Sequence, residues 1–143
     1  MTAPQFAQVE PLERGLLASI LVSRDPCEIL DGCEGLAAEH FYNFRHRAVW
    51  GAIRALVEAG QEPNAITLEA KLQSSGQLEA CGGVAFFGEL VQPEIALYST
   101  DTAIEYGRRI VKAAEARLAQ AAIADALERA RGAHLDAPGV LGD

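Results

Sequence analysis

HFYNFRHRAVWGAIRALVEAG, residues His40–Gly60, is the stretch that decides the fold. It gathers Phe41, Tyr42, Phe44 and Trp50 just before or inside one amphipathic run. From Arg45 onward the apolar residues Val49, Ile53, Leu56 and Val57 follow the i, i+4, i+7, i+8 spacing of one helical face. Arg47, Arg54 and Glu58 fall largely outside that stripe, and Gly60 suits the position just past a helix end. Large aromatic side chains bury the most apolar surface, so Phe41, Tyr42, His46, Trp50 and Ile53 are the expected core anchors, with the other helices laid against them.

Outward from this segment the periodic signals are all helical. Pro4 and Pro11 bracket an N-terminal tail, residues 1–10, with no clear period. Leu12–Val22 reads as a first helix with Pro11 in its first turn, Glu13 complementing its dipole, and Leu16, Leu17, Ile20 and Leu21 buried. Asp25 caps a short helix from Pro26 to about Gly32, and Leu36–His40 forms a turn of helix. Beyond Gly60, Thr67 is the expected N-cap of Leu68–Gln73, and Val84–Val91 follows Gly82-Gly83 and closes before Pro93. From Asp101 to Arg131 alanine dominates, and alanine is the best helix former. Ile104, Val111, Leu118 and Ala121 recur at nearly seven-residue intervals with Gly107 and Ala114 between them, a pattern that resembles a coiled-coil seam with small residues. Gly132 should end that helix, leaving 132–143 as a tail or truncated linker. Alternating β-branched runs are absent. The expected fold is all-α: a small orthogonal bundle of five or six helices over 11–98, then one long protruding helix over 99–131.

Composition narrows the function. The chain has 143 residues, a net charge of −8 and a pI of about 4.8, with half its residues hydrophobic. Nucleic-acid affinity comes from Lys and Arg releasing counterions, so direct DNA binding is not expected of this domain. Cys27, Cys33 and Cys81 show no CxxC spacing and read as small buried thiols of a reducing cytoplasm. Neither a signal peptide nor a membrane span is read here, so the expected location is cytoplasmic.

Chemistry is hard to find. Lys71 and Lys112 follow no glycine, so no phosphate-cradling loop is formed. His40 and His46, six apart, do not share a helical face as metal ligands would; His46 reads as a core-edge residue bonded to backbone. Glu89 and Glu94 read as solvated helix ends, and no serine stands in a GxSxG context. No catalytic residue, metal site or cofactor is assigned. The expected site is an interface, with Ile104, Val111, Leu118 and Leu127 packing between helices and Arg108, Arg109 and Arg117 at its rim.

Several motifs in register carry a resemblance. They are Glu13–Val22, Phe41-Tyr42-Asn43 followed by His46 and Trp50-x-Ala52-Ile53, Asn64-x-x-Thr67, Gly76-x-Leu78 with Gly82-Gly83 and Phe86-Phe87, and Tyr106-x-x-x-Ile110 with Lys112 and Arg117-Leu118. Together they resemble the N-terminal domain of bacterial replicative DNA helicases of the DnaB type. Ala18, Asn64 and Gly107 depart from the usual residues. The resemblance implies an all-α globule followed by a helical hairpin, self-association into a collar, and docking of primase or a helicase loader. It also implies that the ATP-dependent motor lies outside these residues, so the chain itself is not an enzyme. The alternative expectation is a free-standing adaptor or inhibitor of the same fold that binds a helicase or primase.

Overall fold

The computed structural model describes residues 3–92 and 99–141, with side chains described for 8–92 and 99–133. Among these residues six α-helices and one 3₁₀ turn are found and no strand: α1 Ala3–Val22, α2 Pro26–Gly32, a 3₁₀ turn Ala38–His40, α3 Phe44–Glu58, α4 Ala65–Ser74, α5 Gly83–Leu90 and α6 Thr100–Leu141. The all-α bundle with a long last helix is as the periodicity predicts.

Local chemistry sets most of the ends. Asp25 Oδ1 accepts from the Glu28 amide at the start of α2, and Pro26 needs no partner there. Gly60 and Gly76 follow α3 and α4 at φ of 77° and 74°, a region where a Cβ is disfavoured. Asn64, rather than Thr67, caps α4. Asn64 Oδ1 accepts from the Thr67 amide while Thr67 Oγ1 accepts from the Asn64 amide, both at 2.9 Å. This reciprocal box moves the start of α4 three residues ahead of the expected one.

Both expected tails are corrected. α1 begins at Ala3 and runs through Pro11. An internal proline costs a hydrogen bond, but the turn before it is held to the globule. Val9 is buried, and Glu10 Oε1 accepts from Asn43 Nδ2 at 3.3 Å. At the other end α6 passes Gly132 and reaches Leu141. A glycine with ordinary helical φ costs only about 1 kcal/mol against alanine, and Gly132 is not among the positive-φ glycines. Pro93 and Glu94 lie outside the described residues, as does the side chain of His134.

The core is a single cluster in which Leu16, Leu17 and Ile20 of α1 meet Phe41, Trp50 and Ile53, closed by Leu68, Leu72, Leu90 and Ile110. Phe41 and Trp50 rings pack at 5.4 Å. Of the expected anchors, Phe41, His46, Trp50 and Ile53 are buried, but Tyr42 is 41% exposed. The chain is extended around Phe41, which turns inward, so its neighbour Tyr42 points out.

Candidate interaction surface on the last helix

One carboxylate locks the region from which the long helix departs. Glu13, in α1, is fully buried and receives three hydrogen bonds. The Tyr42 and Asn43 amides donate to it at 2.5 and 3.3 Å, and His46 Nδ1 lies 2.7 Å away. Because a carboxylate accepting backbone amides is acceptor-only, Nδ1 carries the hydrogen. Glu13 therefore serves the N-terminus of α3, not its own helix, and His46 is bonded to a side chain, not to backbone. A glutamate on the inner stripe of Leu16, Leu17 and Ile20 was the available signal, since a carboxylate on a core face needs a partner.

α6 starts with Ser99 Oγ accepting from the Thr102 amide at 3.2 Å. Its first part lies on α1 and α2, with Ala103, Ile110 and Ala114 buried. Close approach depends on two glycines. A Cβ on Gly107 would stand 2.6 Å from the Cys33 sulfur, and one on Gly32 would stand 2.3 Å from Ile104 Cδ1. The last tether is Arg117, whose Nη2 donates to the His40 carbonyl at 3.3 Å and whose guanidinium lies 5.5 Å from the centre of the Tyr42 ring.

Beyond this point the helix is bare. Every residue from Leu118 to Arg131 is exposed, roughly 20 Å of rod at 1.5 Å per residue. Leu118, Ile123 and Leu127 are 52, 61 and 59% exposed. At about 100° per residue, Leu118, Ala122, Ala126, Ala119, Ala130, Ile123 and Leu127 fall within one half of the circumference, with Arg129 entering it at the Leu118 edge. Asp125, Glu128 and Arg131 fall on the other half; Arg131 pairs with Glu128 there, and Arg129 pairs with Asp125 across the Leu118 edge. The bare apolar half is rotated about 150° from the face carrying Ala103, Ile110 and Ala114.

This geometry divides the expected interface. Ile104 and Val111 are half-buried against the chain's own core, so they pack within the molecule and not on a free seam. Arg117 is likewise spent on His40 and Tyr42. Arg108 and Arg109 are exposed and paired with Glu105 at 3.4 and 3.3 Å. Leu118 and Leu127 remain on the bare part, at opposite edges of its apolar half. The seven-residue repeat stops there, because its next position is Asp125. Ile123 was missed because it lies off that repeat.

The titrating thiols mark the packed side. Burial pushes the Cys33 thiol up to about 11, against a smaller opposing effect of Arg108. Burial likewise raises Cys81, with Arg45 opposing. Cys27, expected to be buried, is exposed, since it sits on the outer side of α2 between Pro26 and Ile29. Among the described residues no group of three potential metal ligands is found, and no helix is long and apolar enough to cross a membrane.

The family described as DnaB-like helicase N terminal domain matches residues 6–112. The chain belongs to that family. It is 30% identical over 100 residues to the replicative DNA helicase DnaB of Geobacillus stearothermophilus, covering 70% of this chain and 21% of that protein. With the DnaB helicase of Treponema pallidum (strain Nichols) it shares 31% over 99 residues, covering 69% of this chain and 21% of the relative. The match to the DnaB helicase of Rhodothermus marinus is 29% over 104 residues, 73% of this chain and 10% of the relative. The chain thus spans a tenth to a fifth of the length of these helicases. Its fold is similar to the crystal structure of the N-terminal domain of DnaB helicase from Mycobacterium tuberculosis, with a TM-score of 0.68 and 26% identity over 88% of this chain and 95% of that one. The matched region is the helicase's N-terminal domain, so neither ATP hydrolysis nor unwinding is assigned to these residues. The bare part of α6 lies beyond the matched span, whereas the Glu13–His46 lock lies within it.

Proposed function

We propose that the chain works in DNA replication as a collar domain of a DnaB-type helicase, in the cytoplasm and without a cofactor. It associates with copies of itself through the bare half of α6 and receives primase or a helicase loader. The observation that carries this reading is the uncovered stretch Leu118–Arg131, whose one half is apolar apart from Arg129 at its Leu118 edge. An isolated helix of this length is marginal in water and gains most of its stability from burying such a face. Alanines along the middle of the face allow two helices to approach closely, while Leu118, Ile123 and Leu127 fill its edges.

Sedimentation equilibrium of the wild type and of Leu118→Asp and Leu127→Asp tests this. The wild type should associate with rising concentration and both variants should be weakened, since an interface that closes over an unpaired carboxylate loses stability. A wild type that stays monomeric at high concentration would remove the self-association reading. Unchanged primase and loader binding in both variants would remove this face as their docking site.

A further inference from the structure

A second surface, without Leu118, Ile123 or Leu127, lies where α3 and α5 meet. Phe44 opens α3 and is 62% exposed. Beside it the Arg45 guanidinium is held between two rings, 5.8 Å from the centre of Phe44 and 5.4 Å from that of Phe86. Room for it comes from Gly82, the N-cap of α5, where a Cβ would stand 3.1 Å from Arg45 Nη1 and 2.8 Å from Phe86 Cβ. Glu10, Tyr42 and Asn43 complete a surface pocket of about 450 Å³ with Phe44 and Arg45.

Arg45 is positioned but not satisfied. Its Nε is buried and has no hydrogen-bond partner, and no carboxylate among the described residues is within ion-pairing distance of the guanidinium. The two nearby acids do not reach it. Glu10 is turned to Asn43 Nδ2, and the Glu79 carboxylate lies across Gly83. On a chain of net charge −8, a fixed, unpaired cation beside an exposed aromatic ring is locally complementary to an anion. The N-terminal end of α5, which has no side-chain cap, adds partial positive charge on the same side. Arginine binds carboxylates bidentately, and a guanidinium already stacked on aromatic rings loses little freedom in doing so.

We propose that Phe44 and Arg45 form a docking point for an acidic, apolar segment of a partner protein. An Asp or Glu side chain of the partner takes the Arg45 guanidinium, and a neighbouring aliphatic or aromatic side chain covers Phe44. The proposal stands whether or not α6 self-associates.

Selection of a random peptide library against the full chain, with peptides amidated at the C-terminus, tests it. The binders should carry Asp or Glu next to a large apolar residue. The Arg45 Nε–H resonance should move on titration, because a new acceptor arrives at the guanidinium. Arg45→Met keeps the apolar stem and should cost about tenfold or more in affinity. Phe44→Ser, at an exposed position, should weaken binding with an unchanged melting temperature, which guards against a folding artefact. Glu79→Gln should tighten binding by removing a like charge. Library binders without acids, no binders at all, equal binding by the Arg45 and Phe44 variants, or a full Nε–H shift with inorganic phosphate alone would each overturn the proposal. So would binding that appears only when the peptide C-terminus is a free carboxylate.

Discussion

Glu13 Oε1 stands 2.7 Å from His46 Nδ1, and neither side chain is exposed to solvent. The pair joins α1 to α3 across thirty-three residues, and the same carboxylate holds the Tyr42 and Asn43 amides just ahead of α3, whose cap is the Asn43 side chain. Removing it leaves one buried donor, His46 Nδ1, and two part-buried amides unserved. Glu13→Ala should therefore cost about 3–5 kcal/mol of folding stability. Glu13→Gln, which keeps one acceptor oxygen, should cost less, roughly 1–3 kcal/mol. Urea unfolding followed by circular dichroism checks both, and losses below about 1 kcal/mol would mean that the lock contributes little.

The contact between Gly107 and the Cys33 sulfur predicts an inverted helix-propensity effect. In an open helix Gly→Ala stabilises by up to about 1 kcal/mol. At Gly107 the new methyl group would meet sulfur at 2.6 Å, and overpacking of this kind costs about 1–3 kcal/mol. Gly107→Ala should therefore be destabilising, and Cys33→Ala should recover part of the loss in the double variant. Gly132→Ala, with nothing within 4 Å of its Cβ position, should be stabilising. Equal responses at the two glycines would contradict this packing.

Thiol chemistry should separate the three cysteines. Cys27 is exposed while Cys33 and Cys81 are buried, so one thiol should react rapidly with a disulfide reagent at neutral pH and two only on unfolding. The Cys33 shift also gives a pH dependence. Its thiol ionises near 9.0 when exposed and at about 11 when folded. The unfolded chain therefore binds fewer protons between these values. Stability contributed by this site is intact below pH 9 and falls as pH rises toward about 11. Cys33→Ala should flatten that part of the curve.

Arg117 is predicted to act within the molecule. With its guanidinium on Tyr42 and its Nη2 on the His40 carbonyl, Arg117→Ala should lower the melting temperature, corresponding to about 1 kcal/mol. Fluorescence-detected thermal unfolding would show this. A change in self-association with no change in melting would instead place Arg117 at an intermolecular rim.

Much of the fold was legible because apolar spacing and caps are local. The α3 stripe of Val49, Ile53 and Leu56, the Asp25-Pro26 start and the Gly60 stop all stand as read. What failed depended on residues distant in sequence. Pro11 signals a helix start, yet Val9 and Glu10 pay for the turn before it through contacts with the globule. Glu13 resembles a first-turn acid until α3 is folded against it. On α6 one repeat joined two different surfaces: Ile104 and Val111 lie on the chain's own core, and Leu118 and Ala121 lie on the bare rod. The turning point is set by where the globule ends, at Arg117, which no periodicity reports. Arg45 was invisible for a related reason, because its second ring comes from Phe86, far along the chain.

Hydrogen exchange of the amides from Leu118 to Arg131, followed over a dilution series, tests the central claim most directly. An uncovered helix that gains a partner by association should be weakly protected when dilute and increasingly protected as concentration rises, while the amides around Glu13 and Trp50 stay unchanged. Strong protection of this segment that is independent of concentration would contradict the account.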